Sequence, residues 1–258
     1  MSKSTDQPEM NRREFLGKTI VAATAATVAP GVLLSVAKAG PEQKGVTSDV
    51  RWGLLIDTNK CADGCTSCVD ACHTENGIDL QEKPEGHSDA MWEQQRVQWI
   101  RKVKLQDKLT GEQTNLPLMC QHCEHPPCVD VCPTGASFKR ADGIVMVDRH
   151  ICIGCRYCMM ACPYKARSFI HEEVANQLVR APRGKGCVES CTLCVHRIDD
   201  GGTTTACQDA CSSEGHNAIV FGDLKDPNSD ISKALKEQSS RQIRADLELN
   251  TGVRYTNV

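Results

Sequence analysis

Sixteen of the seventeen cysteines in this 258-residue chain fall into four tight runs, and no other feature restricts its fold as much. The first run is Cys61, Cys65, Cys68 and Cys72, spaced C-x3-C-x2-C-x3-C. The second is Cys120, Cys123, Cys128 and Cys132, spaced C-x2-C-x4-C-x3-C, with Pro133 next. The third is Cys152, Cys155, Cys158 and Cys162, spaced C-x2-C-x2-C-x3-C, with Pro163 next. The fourth is Cys191, Cys194, Cys207 and Cys211, spaced C-x2-C-x12-C-x3-C. Phe, Trp and Tyr together number only ten, so aromatic packing alone cannot organise the interior, although 40% apolar content permits a core. A net charge of −3 argues against a polybasic nucleic-acid binder, and a charged fraction of 24% argues against a disordered chain.

The spacings select among sulfur chemistries. A structural zinc site uses one C-x2-C pair and a second pair at a distance. Here three runs each hold four thiols within about a dozen residues, a density foreign to that site. Only the fourth run, split by Val195 to Ala206, stays open to zinc. Disulfides are disfavoured by the odd count and by spacing unlike that of secreted scaffolds. No C-x-x-C pair is followed by His, which removes c-type haem attachment. The third run matches the bacterial spacing for a 4Fe-4S cluster, in which the fourth cysteine serves the partner cluster, so runs work in pairs. Gly154 permits the tight turn between the first two cysteines of that run. The fourth cysteine of each run is expected to open a short helix, with the prolines helping to end the loop.

Residues 1–39 read as an export address: Arg12-Arg13 with Phe15-Leu16, an Ala/Val/Thr-rich run from Thr19 to Val36, and Ala37-Lys38-Ala39 as the cleavage site of a twin-arginine (Tat) signal. That signal passes folded, cofactor-loaded proteins, which reconciles export with many reduced cysteines. Elsewhere the pattern predicts strands at Trp52 to Asp57, Ile144 to Val147, Ser168 to Ile170 and Ile219 to Phe221. A hairpin turn is expected at Lys139 to Gly143, and a half-buried strand from Arg96 to Leu105 with Val97, Trp99, Val103 and Leu105 on one face. Ser229 to Leu247 reads as a helix capped by Ser229, with Ile231, Leu235 and Ile243 packing onto the chain's own body. There is no G-x-G-x-x-G, P-loop or H-E-x-x-H motif, and His73, His122, His125 and His196 beside the cysteines read as supporting or surface groups, not catalysts. The residues therefore predict an electron conduit without a catalytic site of its own, a structural scaffold with inert clusters being the alternative.

Met119-Cys120-Gln121-His122-Cys123, Pro126-Pro127-Cys128, Cys132-Pro133-Thr134-Gly135-Ala136, Cys152-Ile153-Gly154-Cys155, Cys162-Pro163-Tyr164 and Cys191-Thr192-Leu193-Cys194-Val195-His196-Arg197 carry a family resemblance. The chain resembles the four-cluster ferredoxin subunits that accompany dimethyl sulfoxide, polysulfide and tetrathionate reductases and formate dehydrogenase. The likeness runs from about Trp52 to Phe221, and more weakly to Gly252-Val253-Arg254-Tyr255. Within that family, Cys65-Thr66-Ser67-Cys68-Val69-Asp70-Ala71-Cys72 is most similar to the DsrO-type iron-sulfur proteins of DsrMKJOP complexes in sulfur metabolism.

The resemblance implies an α+β fold of two interleaved bacterial-ferredoxin-like units with short strands, cysteine loops and short helices. It implies a first part of the outer unit with an insertion over 46–115, an inner unit over 116–175, a second part of the outer unit over 176–222, and a tail with a helix over 223–258. It also implies four 4Fe-4S clusters on four quartets: Cys120, Cys123, Cys128 and Cys162; Cys152, Cys155, Cys158 and Cys132; Cys61, Cys65, Cys68 and Cys211; and Cys191, Cys194, Cys207 and Cys72. The extra residue in Cys61-Ala62-Asp63-Gly64-Cys65 leaves a 3Fe-4S cluster open at run one. Cys187 reads as a small buried hydrophobe, not a ligand. The implied partners are a quinone-interacting NrfD-type integral membrane subunit and a multihaem cytochrome c, or else a molybdopterin catalytic subunit. The implied location is the periplasmic face of the cytoplasmic membrane, to which partner subunits attach the protein.

Overall fold

A computed structural model describes residues 45–258, so the expected signal at 1–39 lies outside the described residues. In chain order the elements are β1 (Trp52–Asp57), α1 (Ser67–Asn76), α2 (Asp89–Gln95), β2 (Arg101–Gln106), β3 (Gln113–Leu118), α3 (Pro127–Asp130), β4 (Ser137–Lys139), β5 (Val145–Val147), α4 (Tyr157–Ala161), β6 (Ser168–Phe169) and β7 (Val188–Glu189). There follow α5 (Val195–Asp199), α6 (Ala206–Ser213), β8 (Ile219–Asp223), α7 (Asp230–Glu237) and β9 (Val253–Thr256). Short strands and helices thus punctuate long cysteine-bearing loops.

Strand β1 buries Leu54, Leu55 and Ile56 in a row, as a strand covered on both faces does. It is the centre of a three-stranded sheet ordered β8-β1-β9, antiparallel to β8 and parallel to β9. Helix α7 is capped by Ser229, whose hydroxyl accepts from the Ser232 amide, and lays Ile231 against Gly222 of this sheet. Gly222 is required there: a Cβ would come within 2.9 Å of Ile231 Cγ2. The other strands form two-stranded hairpins, β2-β3, β4-β5 and β6-β7.

The expected strands at 52–57, 144–147, 168–170 and 219–221 all form, to within one or two residues. The 139–143 turn joins β4 and β5, with Gly143 at φ 88°. Two expectations need correction. The strand placed at Arg96 begins at Arg101, and Leu105 is exposed. Val97 and Trp99 are buried, but their segment bonds side chains instead of a ladder: the Gln98 amide donates to Ser168 Oγ at 3.1 Å and Trp99 Nε1 to Glu189 Oε1 at 3.1 Å. The tail helix stops at Glu237, because Gln238 is extended and Arg241 exchanges backbone hydrogen bonds with Tyr255 in β9. Ile231 is fully buried, whereas Leu235 and Ile243 are half-buried.

The buried polar groups tie distant segments together. Arg183 pairs with Glu189 through Nε and Nη2 and donates Nη1 to the Gly77 carbonyl, satisfying both charges inside the protein. Tyr255 donates its hydroxyl to the Pro117 carbonyl and accepts from Gln121 Nε2, each at 3.0 Å, and so pins the last strand to the entry of the second cysteine run.

Candidate metal centres

Each cysteine run is built on the same turn. The residue just before the second cysteine has positive φ in all four: Gly64 (71°), His122 (43°), Gly154 (68°) and Leu193 (53°). That left-handed step reverses the chain so that flanking thiols face one point, and it costs a non-glycine residue about 1–2 kcal/mol. At Gly154 the demand is also steric, since a Cβ would lie 2.2 Å from the Gly186 carbonyl oxygen. Run one makes the same turn despite its extra residue. Its widened loop is clamped by Lys102 of β2, whose Nζ donates to the carbonyls of Ala62 (3.0 Å) and Cys65 (2.5 Å).

The helices sit elsewhere than expected. The third cysteine of every run lies within a helix, Cys68 in α1, Cys128 in α3, Cys158 in α4 and Cys207 in α6, so no helix opens at a fourth cysteine. In runs one and four the fourth cysteine follows one turn later on the same helix, as C-x3-C spacing places i and i+4 on one face. In runs two and three the fourth cysteine precedes Pro133 or Pro163, and a residue before proline is pushed out of the helical region. Cys162 accordingly has φ −72°, ψ 112°.

Four small cavities gather the sixteen thiols into quartets. Cys61, Cys65, Cys68 and Cys211 line one; Cys72, Cys191, Cys194 and Cys207 a second; Cys120, Cys123, Cys128 and Cys162 a third; Cys132, Cys152, Cys155 and Cys158 a fourth. Among the described residues no three His, Cys, Asp or Glu side chains close on a point fit for a single ion.

Cys187 stands outside the four cavities. It is half-buried, donates its thiol to the Arg149 carbonyl at 3.3 Å, and lies on the wall of a separate open cavity.

The electrostatics of the quartets favour a cationic guest. Burial pushes Cys68 up to about 12, with Cys207, Cys61 and Cys211 adding repulsion. Burial likewise lifts Cys128 and Cys194 to about 11, and Cys72 and Cys191 well above the usual thiol range. Such sulfurs become thiolates only when a positive body compensates them. Donors for sulfur are already in place. Backbone amides of Ser137, Leu193, Ala206 and Ala218 point to Cys132, Cys191, Cys194 and Cys211 at 3.3 to 3.5 Å. Asn76 Nδ2 reaches Cys72 at 3.7 Å, and Arg167 Nη2 reaches Cys128 at 3.1 Å. On Cys132 burial acts upward, yet the amides of Ser137, Thr134 and Ala136 bring it below the usual value. Sixteen soft donors, gathered four to a cavity and backed by amides, fit iron-sulfur cubanes.

The histidines take supporting places. His122 is fully buried, accepts from the Val145 amide at Nδ1 and is pushed down to about 3 by burial, so it is neutral. His196 Nε2 contacts Glu75 at 2.6 Å on the surface of α5. Among the described residues no helix is long and apolar enough to cross a membrane.

Residues 112–223 match the family model described as a 4Fe-4S dicluster domain. Over 280 aligned residues the chain is 40% identical to the Hdr-like menaquinol oxidoreductase iron-sulfur subunit 1 of Archaeoglobus fulgidus, covering 96% of this chain and 98% of that protein. It is 36% identical to a tetrathionate reductase subunit of Salmonella typhimurium, covering 89% and 80%. With protein NrfC of Escherichia coli the identity is 35%, covering 91% and 89%.

Proposed function

Because the chain belongs to the family of 4Fe-4S dicluster electron-transfer subunits, we propose that it relays single electrons through four 4Fe-4S clusters between a membrane quinone-interacting protein and a second redox partner. The observation that carries this is the serial placement of the quartets. Helix α1 carries Cys68 of the first and Cys72 of the second; α6 carries Cys211 and Cys207 of the same two. Four residues of helix separate such thiols by about 6 Å along the axis. Met119 lines the second cavity and the next residue, Cys120, the third, so these two also adjoin. Cys128 and Cys132 flank the end of α3, and Cys158 and Cys162 that of α4, which joins the third cavity to the fourth. Cubanes supply one-electron exchange with little rearrangement. The protein's part is to hold them in line, exclude water from the middle pair, whose thiols are buried, and leave the ends near the surface.

Those pairings make the ligand sets the quartets named above. They make the architecture two interleaved ferredoxin-like units, 116–175 within 46–115 and 176–222, with the 223–258 tail closing the outer sheet. The thiol Cys211 completes run one's set, which favours a 4Fe-4S over a 3Fe-4S cluster there. The fourth quartet exposes Cys155 amid Ile151, Ile153, Tyr157 and Met160, apolar side chains suited to a docking partner. The paired arginines of the first forty residues support Tat export, hence a peripheral subunit on the periplasmic face, held by an NrfD-type membrane subunit with a multihaem cytochrome c as counterpart. The wording of run one supports the narrower assignment to DsrO within a DsrMKJOP complex of sulfur metabolism. The tetrathionate reductase relative favours a second reading, in which the partner is a molybdopterin catalytic subunit.

Iron and acid-labile sulfide in anaerobically purified protein test this, with about sixteen iron atoms per chain expected. Stoichiometric zinc, cystine bridges, or clusters that no reductant titrates would end the proposal. Isolation from membranes with the bound subunits then decides between the two partners.

A further inference from the structure

Arg167 follows the third cysteine run and is 5% exposed. It lines the cavity of Cys120, Cys123, Cys128 and Cys162. Its Nη2 donates to Cys128 Sγ at 3.1 Å, while Nε and Nη1, also buried, have no partner. No Asp or Glu lines that cavity. Arg183, the other buried arginine among the described residues, is by contrast fully paired with Glu189 and a carbonyl. A guanidinium cannot shed its proton and is costly to bury without a compensating anion. Among the described residues the groups that compensate its charge are sulfurs of two quartets, Cys128 and Cys120 of one and Cys158 of the other. The remaining buried cavity differs, because no Lys, Arg or His lines it; there Asn76 donates to Cys72 and the Thr205 hydroxyl contacts Cys207.

Resting on the cluster assignment above, we infer that Arg167 is a positioning residue whose buried positive charge sets the reduction potential of both clusters of the inner unit, through its bond to Cys128 and the N–H groups of its two unpartnered nitrogens, Nε and Nη1. Reduction adds one negative charge to a thiolate-held cluster, and a fixed cation favours the more negative form. The inner pair therefore takes an electron more readily than it would with a neutral side chain.

The test is a redox titration, followed by electron paramagnetic resonance, of the full cluster-loaded protein and of Arg167→Met, Arg167→Gln and Arg167→Lys. Cys128→Ser and Cys158→Ser identify the two inner signals. We expect Met and Gln to lower both inner midpoints by at least a tenfold change in the oxidised-to-reduced ratio, about 59 mV for one electron. The outer midpoints should stay in place, and Lys should keep the inner ones within that margin. Loss of inner iron from both neutral variants but not from Lys also supports the role of the charge. Unmoved midpoints in a neutral variant with full iron overturn the inference, as do equal shifts of all four, a Lys variant shifted as far as Met, or iron loss from all three. Wild-type protein devoid of iron would instead overturn the cluster assignment itself.

Discussion

The inner unit and the outer unit hold the same kind of quartet by different means. The inner one draws its ligands from one continuous stretch, Cys120 to Cys162, with helices of four and five residues halted before prolines. The outer one reaches from Cys61 to Cys211, uses helices of ten and eight residues packed on each other, and depends on the β8-β1-β9 sheet to bring its halves together. A contiguous set is fixed by its own loops, whereas a divided set borrows its precision from the sheet and from ion pairs that join its helices, such as Arg197 with Glu75 and Asp209. Perturbations should therefore separate the two.

The largest effect is expected inside the inner unit. Cys128→Ser removes the sulfur that Arg167 faces, leaving a buried cation short of a partner at a cost of about 3–5 kcal/mol. Cys155→Ser, at an exposed position, should lose iron only from its own quartet and keep the near-ultraviolet dichroism of the parent. Equal loss of fold in both variants would contradict the contrast.

Next comes the sheet. Ile231→Ala empties a fully buried site between α7 and β8, costing about 2–5 kcal/mol. On heating, iron bound by the outer unit should leave before that of the inner unit. Simultaneous release would mean that the two units do not differ in what holds them.

Tyr255→Phe removes a buried hydroxyl that accepts from Gln121 and donates to the Pro117 carbonyl; Gln121 keeps its bond to the Met119 carbonyl, and the cost is about 1–3 kcal/mol. At this chain length that corresponds to a melting point lower by about 2–10 °C. An unchanged melting point would remove this link between the last strand and the second run.

The smallest effect belongs to the ion pairs of α1 and α5. Hydrogen bonding from Arg197, followed by His196, holds the Glu75 carboxyl down to about 2, against an ordinary 4.5. A depressed carboxylate contributes stability that is complete above about 4.5 and is lost as pH falls from there towards 2. The pair is close to solvent, so Glu75→Gln should lower stability at neutral pH by no more than about 1 kcal/mol. It should also flatten the profile between pH 4.5 and 2. A profile as steep as the parent's would assign the acid sensitivity to other carboxylates.

The cysteine runs were the most legible part of the sequence, because cluster chemistry fixes thiol spacing more tightly than packing fixes apolar residues. The edge strands and the Asp142-Gly143 turn were legible for local reasons, since short β-rich runs bounded by turn residues depend little on context. What remained hidden depended on contacts across the chain. Nothing in the identities of His122 and Leu193 announces a left-handed backbone; only their place before a second cysteine, shared with Gly64 and Gly154, could have suggested it. Alternation made Arg96 to Leu105 look like one strand, yet Trp99 is drawn inward by Glu189, 90 residues away. Helical periodicity carried the tail past Glu237, where pairing of Arg241 with Tyr255 overrides propensity. Arg167 stands directly before β6, and its burial among sulfurs has no local signal.

Strand β9 lies at the far end of the chain yet runs parallel to β1, the first strand described. A ribosome delivers residues in order, so the stretch from Cys120 to Cys162 can close around its iron while the partner of β1 is still unsynthesised. Chain order thus sets the whole Cys120 to Cys162 stretch ahead of the strand that seals the outer sheet, so the inner set needs no contact from β9 to bring its own loops together.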